Sequence, residues 1–245
     1  MRLRHDSFWP LVLSIFFYCC PPSLLAEPLK FSVVSVDKDS SGFYIAQSLA
    51  DEIGKRINRE IQLIALPPLR AKEYLRSGEI DADFARADGF GTDIPGLIQV
   101  SEPIAKFPYY AYTIRKDILV DDWQSLLTYK VAYIMGATVP SAKLGSRHAQ
   151  VNPINTAVAA LNFLVAGRVD IFVSIPIVVD SLLNRKEFKN KGITALKTPI
   201  EVVYEYIYVN PKQAVLAEEI DAALKEMKKD KTYDFLMNRP HPIQE

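Results

Sequence analysis

Hydrophobic and polar positions along residues 29–110 predict strands and helices in turn. Short apolar runs rich in β-branched and aromatic residues are typical of strands, whereas apolar positions three or four residues apart are typical of a helix with one buried face. The predicted strands are residues 29–36, 61–66 and 81–85, and the predicted helices are residues 43–57 and 69–77. Because strands joined through helices favour parallel pairing, this region is predicted to be an α/β lobe.

The same pattern continues beyond an aromatic-rich strand predicted at residues 107–114. This strand passes directly into a charged turn that begins at Arg115, as expected where a chain leaves one lobe and enters another. Further strands are predicted at residues 130–135, 170–175 and 202–209, and helices at residues 121–127, 155–165, 177–188, 216–227 and 232–238. These elements predict a second α/β lobe.

One phrase occurs once in each predicted lobe: LRSGEID at residues 75–81 and LVAGRVD at residues 164–170. In both copies a glycine follows a helix, which it can end by adopting the left-handed conformation. An aspartate then precedes a short strand, and we interpret Asp81 and Asp170 as structural residues that bond backbone groups at the turn. The cleft between two such lobes is a usual position for a small ligand.

The N-terminal segment, residues 1–26, has the layout of a secretory signal peptide. Arg2 and Arg4 precede an apolar run that is shorter than the roughly 20 residues of a membrane-spanning helix. An uncleaved membrane anchor is the alternative. Both cysteines, Cys19 and Cys20, lie in this segment, so cleavage would leave a protein without disulfides or cysteine-bound zinc. We therefore predict export to the periplasm.

Charge and residue content argue against several classes of function. The chain has 29 basic and 29 acidic residues, whereas a nucleic-acid-binding protein needs a basic surface. No motif indicates a nucleophile with its base, a metal site or a cofactor, so we expect a protein without a cofactor that is not an enzyme. A few local charges would still suffice to bind a small polar solute.

The order of elements and several phrases resemble the type II periplasmic solute-binding proteins, in particular the amino-acid receptors of ABC importers (bacterial extracellular solute-binding protein family 3). The phrases include the helix-Gly-x-Ile-Asp of the first lobe, VSEP at residues 100–103, RKD at 115–117 and KVAYIMG at 130–136. The resemblance covers nearly the whole chain after residue 26. It implies an α/β fold with two lobes, each a mixed sheet flanked by helices, joined by a two-strand hinge.

The resemblance also implies how the chain divides. Residues 27–110 would form the first part of lobe 1, residues 111–115 the hinge, residues 116–204 lobe 2, and residues 205–245 the return strand and the C-terminal helices of lobe 1. Such a protein closes its lobes on a small polar solute and delivers it to an inner-membrane ABC permease or to a sensor. We expect a monomer.

Arg86 follows the third predicted strand, where the resemblance implies an arginine that binds the ligand's carboxylate. A planar guanidinium suits this task because it can donate two parallel hydrogen bonds. The alternative is a surface arginine paired with Asp83 or Asp88. Gly136 and Thr138 lie where a strand turns into a helix, so their backbone N–H groups and hydroxyl are candidates for binding an anion or for plain capping.

Arg70 resembles an arginine found in a proteobacterial subgroup of this family, with a solvated helix arginine as the alternative. Phe43 and Tyr44 are candidates for the apolar wall of a cleft, although most aromatic residues belong to the core. The full set of candidate ligand-binding residues is Arg86, Thr138, Arg70, Tyr44, Phe43, Gly136 and Ser174.

The second copy of the repeated phrase departs from the family's pattern. Amino-acid receptors place an acid five residues after the repeated aspartate to pair with the ligand's ammonium, but this chain has Ile175 there, beside Ser174. A buried ammonium without an anionic partner is costly. Unless Asp180 or an acid of the first lobe substitutes, the sequence favours an anionic or neutral polar solute, and we expect one that bears a carboxylate.

Two other functions remain open on the sequence alone. One is a periplasmic ligand-sensing module without a transporter. The other is an enzyme that works in the cleft of the same fold, of the cyclohexadienyl dehydratase type, for which Glu102 and Glu201 are the candidate acids.

Overall fold

The computed structural model describes residues 27–34, 38, 40–145 and 149–239, and the predicted signal peptide lies outside these residues. The strands are β1 (Leu29–Val34), β2 (Ile61–Leu66), β3 (Ala82–Ala87), β4 (Ile98–Gln99), β5 (Ala105–Thr113), β6 (Val131–Ile134), β7 (Val151–Ile154), β8 (Ile171–Ser174), β9 (Thr194–Ala195) and β10 (Glu201–Val209). The α-helices are α1 (Ser41–Arg56), α2 (Pro68–Ser77), α3 (Thr138–Leu144), α4 (Ala157–Val165), α5 (Pro176–Leu183), α6 (Ala214–Lys229) and α7 (Thr232–Met237).

Two three-stranded parallel units form the centres of two sheets. The first has the order β2-β1-β3, and the second has the order β7-β6-β8. β10 pairs antiparallel with β3, and β5 pairs antiparallel with β8, so both sheets are mixed. The two halves of β5 belong to different sheets, because its first half pairs with β10 and its second half with β8. The predicted two-lobed α/β architecture is confirmed.

An antiparallel ribbon joins the sheets. Residues 105–109 of β5 pair with residues 201–205 of β10, and pairing with β8 begins at Tyr110. The ribbon therefore lies a few residues before the segments that the sequence suggested for the hinge, 111–115 and the strand from 205. The division into lobes and hinge stays a prediction.

Apolar helix faces pack on each sheet and create separate cores. We call the sheet β2-β1-β3-β10 with α1, α2, α6 and α7 the first lobe, and the sheet β7-β6-β8 with α3, α4 and α5 the second lobe. In the first lobe, Ile53 of α1 and Ile220 of α6 share a core with Phe31 of β1. In the second, Leu161 of α4 packs with Phe172 of β8. The C-terminal helices thus cover the sheet that the N-terminal strand begins.

The repeated phrases build matching turns in the two lobes. Gly78 and Gly167 are left-handed, with φ of +85° and +66°, and each follows a helix as predicted. One carboxylate oxygen of Asp81 accepts a 2.8 Å hydrogen bond from the backbone N–H of Lys30, and Asp170 accepts an equivalent 2.9 Å bond from Lys130. This confirms that both aspartates are structural.

Several predicted elements differ from the observed ones. β7 was not predicted from the sequence, because Pro153 lacks an N–H group and interrupts the strand pattern of this segment. The helix predicted at residues 177–188 ends at Leu183, and the predicted helical stretch at 121–127 is a short 3₁₀ turn, Ser125–Thr128. These changes lie away from the centres of the two sheets.

Candidate functional site

A β-bulge at the end of β3 shapes one wall of the space between the lobes. Tyr206 of β10 pairs with Arg86 and Tyr208 with Asp83, so β3 contains one residue more than β10 at this point. Ala85 within the bulge is left-handed, with φ of +61°, which is unusual for a residue other than glycine. Because a bulge shifts the alternation of side chains, Arg86 comes to lie on the same side of the strand as Asp83.

Arg86 and Asp83 form a buried ion pair. Their side chains are 3% and 0% exposed, and Arg86 Nε donates to Asp83 Oδ2 at 2.7 Å. Asp83 Oδ1 accepts a bond of 2.8 Å from the Ser32 hydroxyl, and Arg86 Nη2 donates to the carbonyl of Pro68 at 2.9 Å. Burial raises the pKa of Asp83, whereas Arg86 and Ser32 counteract this by favouring the carboxylate. The pair is therefore internally balanced in charge.

Part of the Arg86 guanidinium is still available to a ligand. Its plane lies over the ring of Phe90, with 4.4 Å between the guanidinium carbon and the ring centroid. Within the described residues, no protein group accepts a hydrogen bond from Nη1. The alternative of a surface arginine is wrong, because Arg86 is buried, although its pairing with Asp83 is present.

Glu205 of β10 is a second buried acid beside this pair. It is 6% exposed and lies between two alanines, Ala87 on β3 and Ala105 on β5, whose small side chains leave space beside its carboxyl group. Among the described residues, none donates a hydrogen bond to this carboxyl group. Burial raises the pKa of Glu205 to about 8, although Arg86 opposes the shift.

The second lobe contributes mainly apolar groups to the facing wall. Ile175 precedes α5, and Ile177 and Val178 follow in its first turn. Thr138, the first residue of α3, brings a hydroxyl that has no hydrogen-bond partner within the described part of the chain. The helix cap is Ala137, so plain side-chain capping by Thr138 is not observed.

These walls enclose a cavity of about 100 Å³ between the lobes. Tyr109, on the ribbon that joins the sheets, also lines this inter-lobe cavity, and burial together with Glu205 raises the pKa of its hydroxyl. The polar lining groups come mainly from the first lobe, whereas aliphatic side chains dominate the rest. First-lobe lining residues include Val33, Ala46, Leu49, Phe84, Arg86 and Glu205, and second-lobe lining residues are Ala137, Thr138, Ile175, Ile177 and Val178.

The structure brings only some of the candidate residues to this cavity. Arg86 and Thr138 line it from opposite lobes, and their role in binding remains a prediction. Arg70 is exposed on α2 and does not line the cavity. Phe43 packs against the first core, while Tyr44 lies near Arg239, with 5.6 Å between ring centroid and guanidinium carbon.

Gly136 and Ser174 also lie outside the lining. Gly136 is left-handed, and a Cβ at this position would lie 2.9 Å from the Cβ of Pro68, so this glycine permits a close contact between the lobes. Ser174 is buried in β8, where it pairs with Tyr110 of β5. Neither residue is placed where a ligand in the cavity would contact it.

A second cavity of about 220 Å³ lies beside the first, also between the lobes. Pro67 and Pro68 line it from the first lobe, and Thr156 and Ser181 from the second. Thr156 caps α4, since its hydroxyl accepts a 3.1 Å bond from the N–H of Ala159. The Ser181 hydroxyl is buried without a hydrogen-bond partner among the described residues.

Glu205 was not among the site residues predicted from the sequence. The available signal was an acid in the middle of an otherwise apolar and aromatic strand, residues 202–209. The acids proposed for an enzyme lie elsewhere: Glu102 pairs with Lys228 at 2.6 Å, and Glu201 accepts a 2.7 Å hydrogen bond from the Trp123 indole. Asp180 is exposed on α5 and does not line the cavity.

Across the described ranges, no group of three or more His, Cys, Asp or Glu side chains is arranged to hold a metal ion. In the same residues, no helix has the length and apolar character needed to cross a membrane.

Known proteins with related sequences or structures point to one fold. No family model matches the chain. An uncharacterized protein of Shewanella oneidensis is 25% identical over 187 residues, which cover 75% of this chain and 69% of that protein.

Two solved structures superpose over most of the chain. The substrate binding protein of an amino acid ABC transporter is 16% identical, with a TM-score of 0.69, and the match covers 86% of this chain and 97% of that one. A histidine kinase sensor domain with similarity to periplasmic binding proteins is 15% identical, with a TM-score of 0.73 and coverage of 86% and 94%. The chain therefore has the two-lobed fold of type II periplasmic binding proteins, which confirms the fold that the resemblance implied.

Proposed function

We propose that this protein is a periplasmic solute-binding protein that encloses a small polar solute in the inter-lobe cavity and delivers it to an ABC importer. The observation that carries the proposal is that both lobes line one cavity, and that no group of the described residues accepts a hydrogen bond from Nη1 of the buried Arg86. A solute held there would contact both lobes at once. Its binding energy would therefore favour the closed arrangement.

The lining supports a solute with a carboxylate and an apolar body. Nη1 of Arg86 can donate to a carboxylate oxygen, and the Thr138 hydroxyl faces the cavity from the opposite lobe. The aliphatic lining from α1 and α5 would contact the remaining part of the solute. Such a small set of polar groups in an apolar cavity is typical of small-molecule sites.

Binding can be tested with purified protein that starts at residue 27 and a panel of amino acids, small carboxylates and amines. A bound solute at about 100 times its Kd should stabilise the native state by about 2.7 kcal/mol, which corresponds to a rise in Tm of about 5–11 °C for a chain of this size. Isothermal titration calorimetry should give one site per chain. Small-angle scattering should show a smaller radius of gyration on binding.

A matched pair of variants locates the site. Thr138→Tyr places a large side chain in the cavity and should abolish binding, whereas Arg70→Ala alters an exposed position and should leave affinity unchanged. Circular dichroism checks that both variants are folded. The proposal fails if no solute stabilises the protein, or if Thr138→Tyr binds as tightly as the original chain.

A sensing module is the second candidate, and the similarity to the histidine kinase sensor domain favours it. Uptake of the labelled solute in a strain that lacks this gene separates the two functions. Loss of uptake supports an importer. Normal uptake with loss of a solute-dependent transcriptional response supports a sensor.

A further inference from the structure

We propose that Glu205 recognises a positively charged group of the solute, so that the inter-lobe cavity takes a ligand that carries an ammonium. This inference rests on the proposed solute-binding function and names the chemical class of the solute. It also names a first-lobe acid for the task that Ile175, at the usual position in the second lobe, cannot perform.

Within the described part of the chain, the charged side chains around the cavity leave Glu205 without a protein cation of its own. Asp83 and Arg86 neutralise each other at 2.7 Å, and Ser32 satisfies the second oxygen of Asp83. Glu205 is a further acid beside this balanced pair, 6% exposed and without a hydrogen-bond donor among the described residues. A buried carboxylate of this kind is costly unless a cation pairs with it, so Glu205 keeps its proton in the empty cavity and ionises only when a cation binds beside it. A ligand ammonium would supply that partner.

The carboxyl group of Glu205 has space beside it for a small ligand group. On each side of Glu205 the neighbouring strand carries an alanine, Ala87 on β3 and Ala105 on β5, and all three residues line the cavity. Larger side chains at the two alanine positions would occupy the space beside the carboxyl group. A small group such as an ammonium can therefore reach Glu205 from the cavity.

Few other charged or titratable groups of the described residues lie near Glu205. Those that face Glu205 are Arg86 and Asp83 of β3, with the hydroxyls of Tyr109 on β5 and Tyr208 on its own strand. The lining residues contributed by α1, α3 and α5 carry no charge. Among the described residues, Glu205 is the only acid that lines the cavity, because Asp83, which pairs with Arg86, does not line it.

The same geometry predicts a proton exchange. Because burial raises the pKa of Glu205 to about 8, the carboxyl group of the empty cavity holds a proton at pH 7. An ammonium that binds there favours the carboxylate, and the released proton passes to the buffer. A neutral or anionic solute would leave the proton on Glu205.

The test is calorimetry with L-amino acids, simple diamines and the N-acetylated form of each amine that binds. Titrations at pH 7 in buffers with different ionisation enthalpies count the protons released. We expect close to one proton per bound amine at pH 7 and few at pH 9.5, and acetylation should weaken binding by at least about 30-fold, as expected when a buried charge pair is lost.

Two variants complete the test. Glu205→Gln keeps the shape of the side chain and should weaken amine binding by about 30-fold or more and abolish proton release. Glu201→Gln, on the same strand but outside the cavity, should retain both properties. Proton release from the original chain is measured independently of whether either variant folds.

The outcomes distinguish the two proposals. If a solute closes the cleft but binds equally well after acetylation, releases no proton and is indifferent to Glu205→Gln, the ammonium inference is overturned and solute binding stands. If no solute of any charge binds, both proposals fail.

Discussion

The two copies of the α-Gly-β unit have the same backbone design but present different chemistry to the same cavity. Gly78 and Gly167 end the helices in the left-handed conformation, and Asp81 and Asp170 hold the neighbouring strands by equivalent hydrogen bonds. Arg86 and Ile175 each follow their aspartate by five residues, and both line the cavity from opposite sides. The fold therefore repeats, whereas the side chains that line the cavity do not.

The difference arises after the shared turn. In the first unit a bulge and the left-handed Ala85 bring a guanidinium beside Asp83, while the second unit continues as regular strand into a helix. One lobe thus supplies charge and the other supplies an apolar wall. The two lobes therefore have similar backbones but contribute different side chains to the cavity.

The largest effect should come from removing the partner of Arg86. Asp83→Ala would leave a buried guanidinium unpaired, and we expect a loss of about 3–5 kcal/mol in the free energy of unfolding, measured by urea denaturation. The double variant Asp83→Ala/Arg86→Ile places isoleucine at position 86, as in the second unit, where Ile175 is at the matching position. It should recover much of the loss, since an apolar replacement of the whole pair removes the buried charge. A double variant no more stable than the single one would contradict this account.

The next effect concerns Glu205, which has no acidic counterpart on the second-lobe side of the cavity. Its pKa is about 8 in the folded protein, whereas its ordinary value is 4.5. Between pH 4.5 and pH 8, Glu205 is therefore protonated in the folded state and ionised in the unfolded state. Stability therefore falls as pH rises through this window, by about 3 kcal/mol at pH 7 relative to pH 4.5. Glu205→Gln should remove this slope in urea denaturation curves, while Glu201→Gln should keep it.

The structural aspartates should show that the shared turns are equivalent. Asp81→Ala and Asp170→Ala each leave a backbone N–H without its acceptor, and each should lower the free energy of unfolding by about 1–3 kcal/mol. Asp117→Ala is the control, because it removes only an exposed partner of Arg115. Losses that differ by more than about 2 kcal/mol between Asp81→Ala and Asp170→Ala would show that the two turns are not alike.

The smallest effect should come from the bulge itself. Ala85→Gly relieves a left-handed alanine and should raise the free energy of unfolding by up to about 1 kcal/mol. Ser174, at the matching position of the second unit, is not left-handed, so Ser174→Gly should lower stability by about the same amount. The same sign for both substitutions in thermal unfolding would argue against stored strain at Ala85.

Sequence patterns predicted the regular elements better than the site. The strands around Phe31 and Phe172 and the helix ends at Gly78 and Gly167 follow from local periodicity and from the conformational freedom of glycine. The residue at which β5 changes sheets does not follow from local preference, because its pairing partners, β10 up to Tyr109 and β8 from Tyr110, decide it. For the site, Arg86 was proposed from its position after the first repeated phrase and Thr138 from its position at a strand-to-helix turn, and both line the cavity.

The sequence by itself determined two α/β lobes, the shared turns with their structural aspartates, and an arginine in one unit opposite an isoleucine in the other. Tertiary structure alone decided that Arg86 is bound to Asp83 and that Glu205 faces the cavity. The contact between Arg86 and Asp83 depends on a one-residue shift in the register of β3 against β10. Glu205 lies near Arg86 because their strands pair, although the two residues are 119 positions apart in the sequence. Local patterns report how each segment folds, whereas the chemistry of the cavity depends on which segments meet.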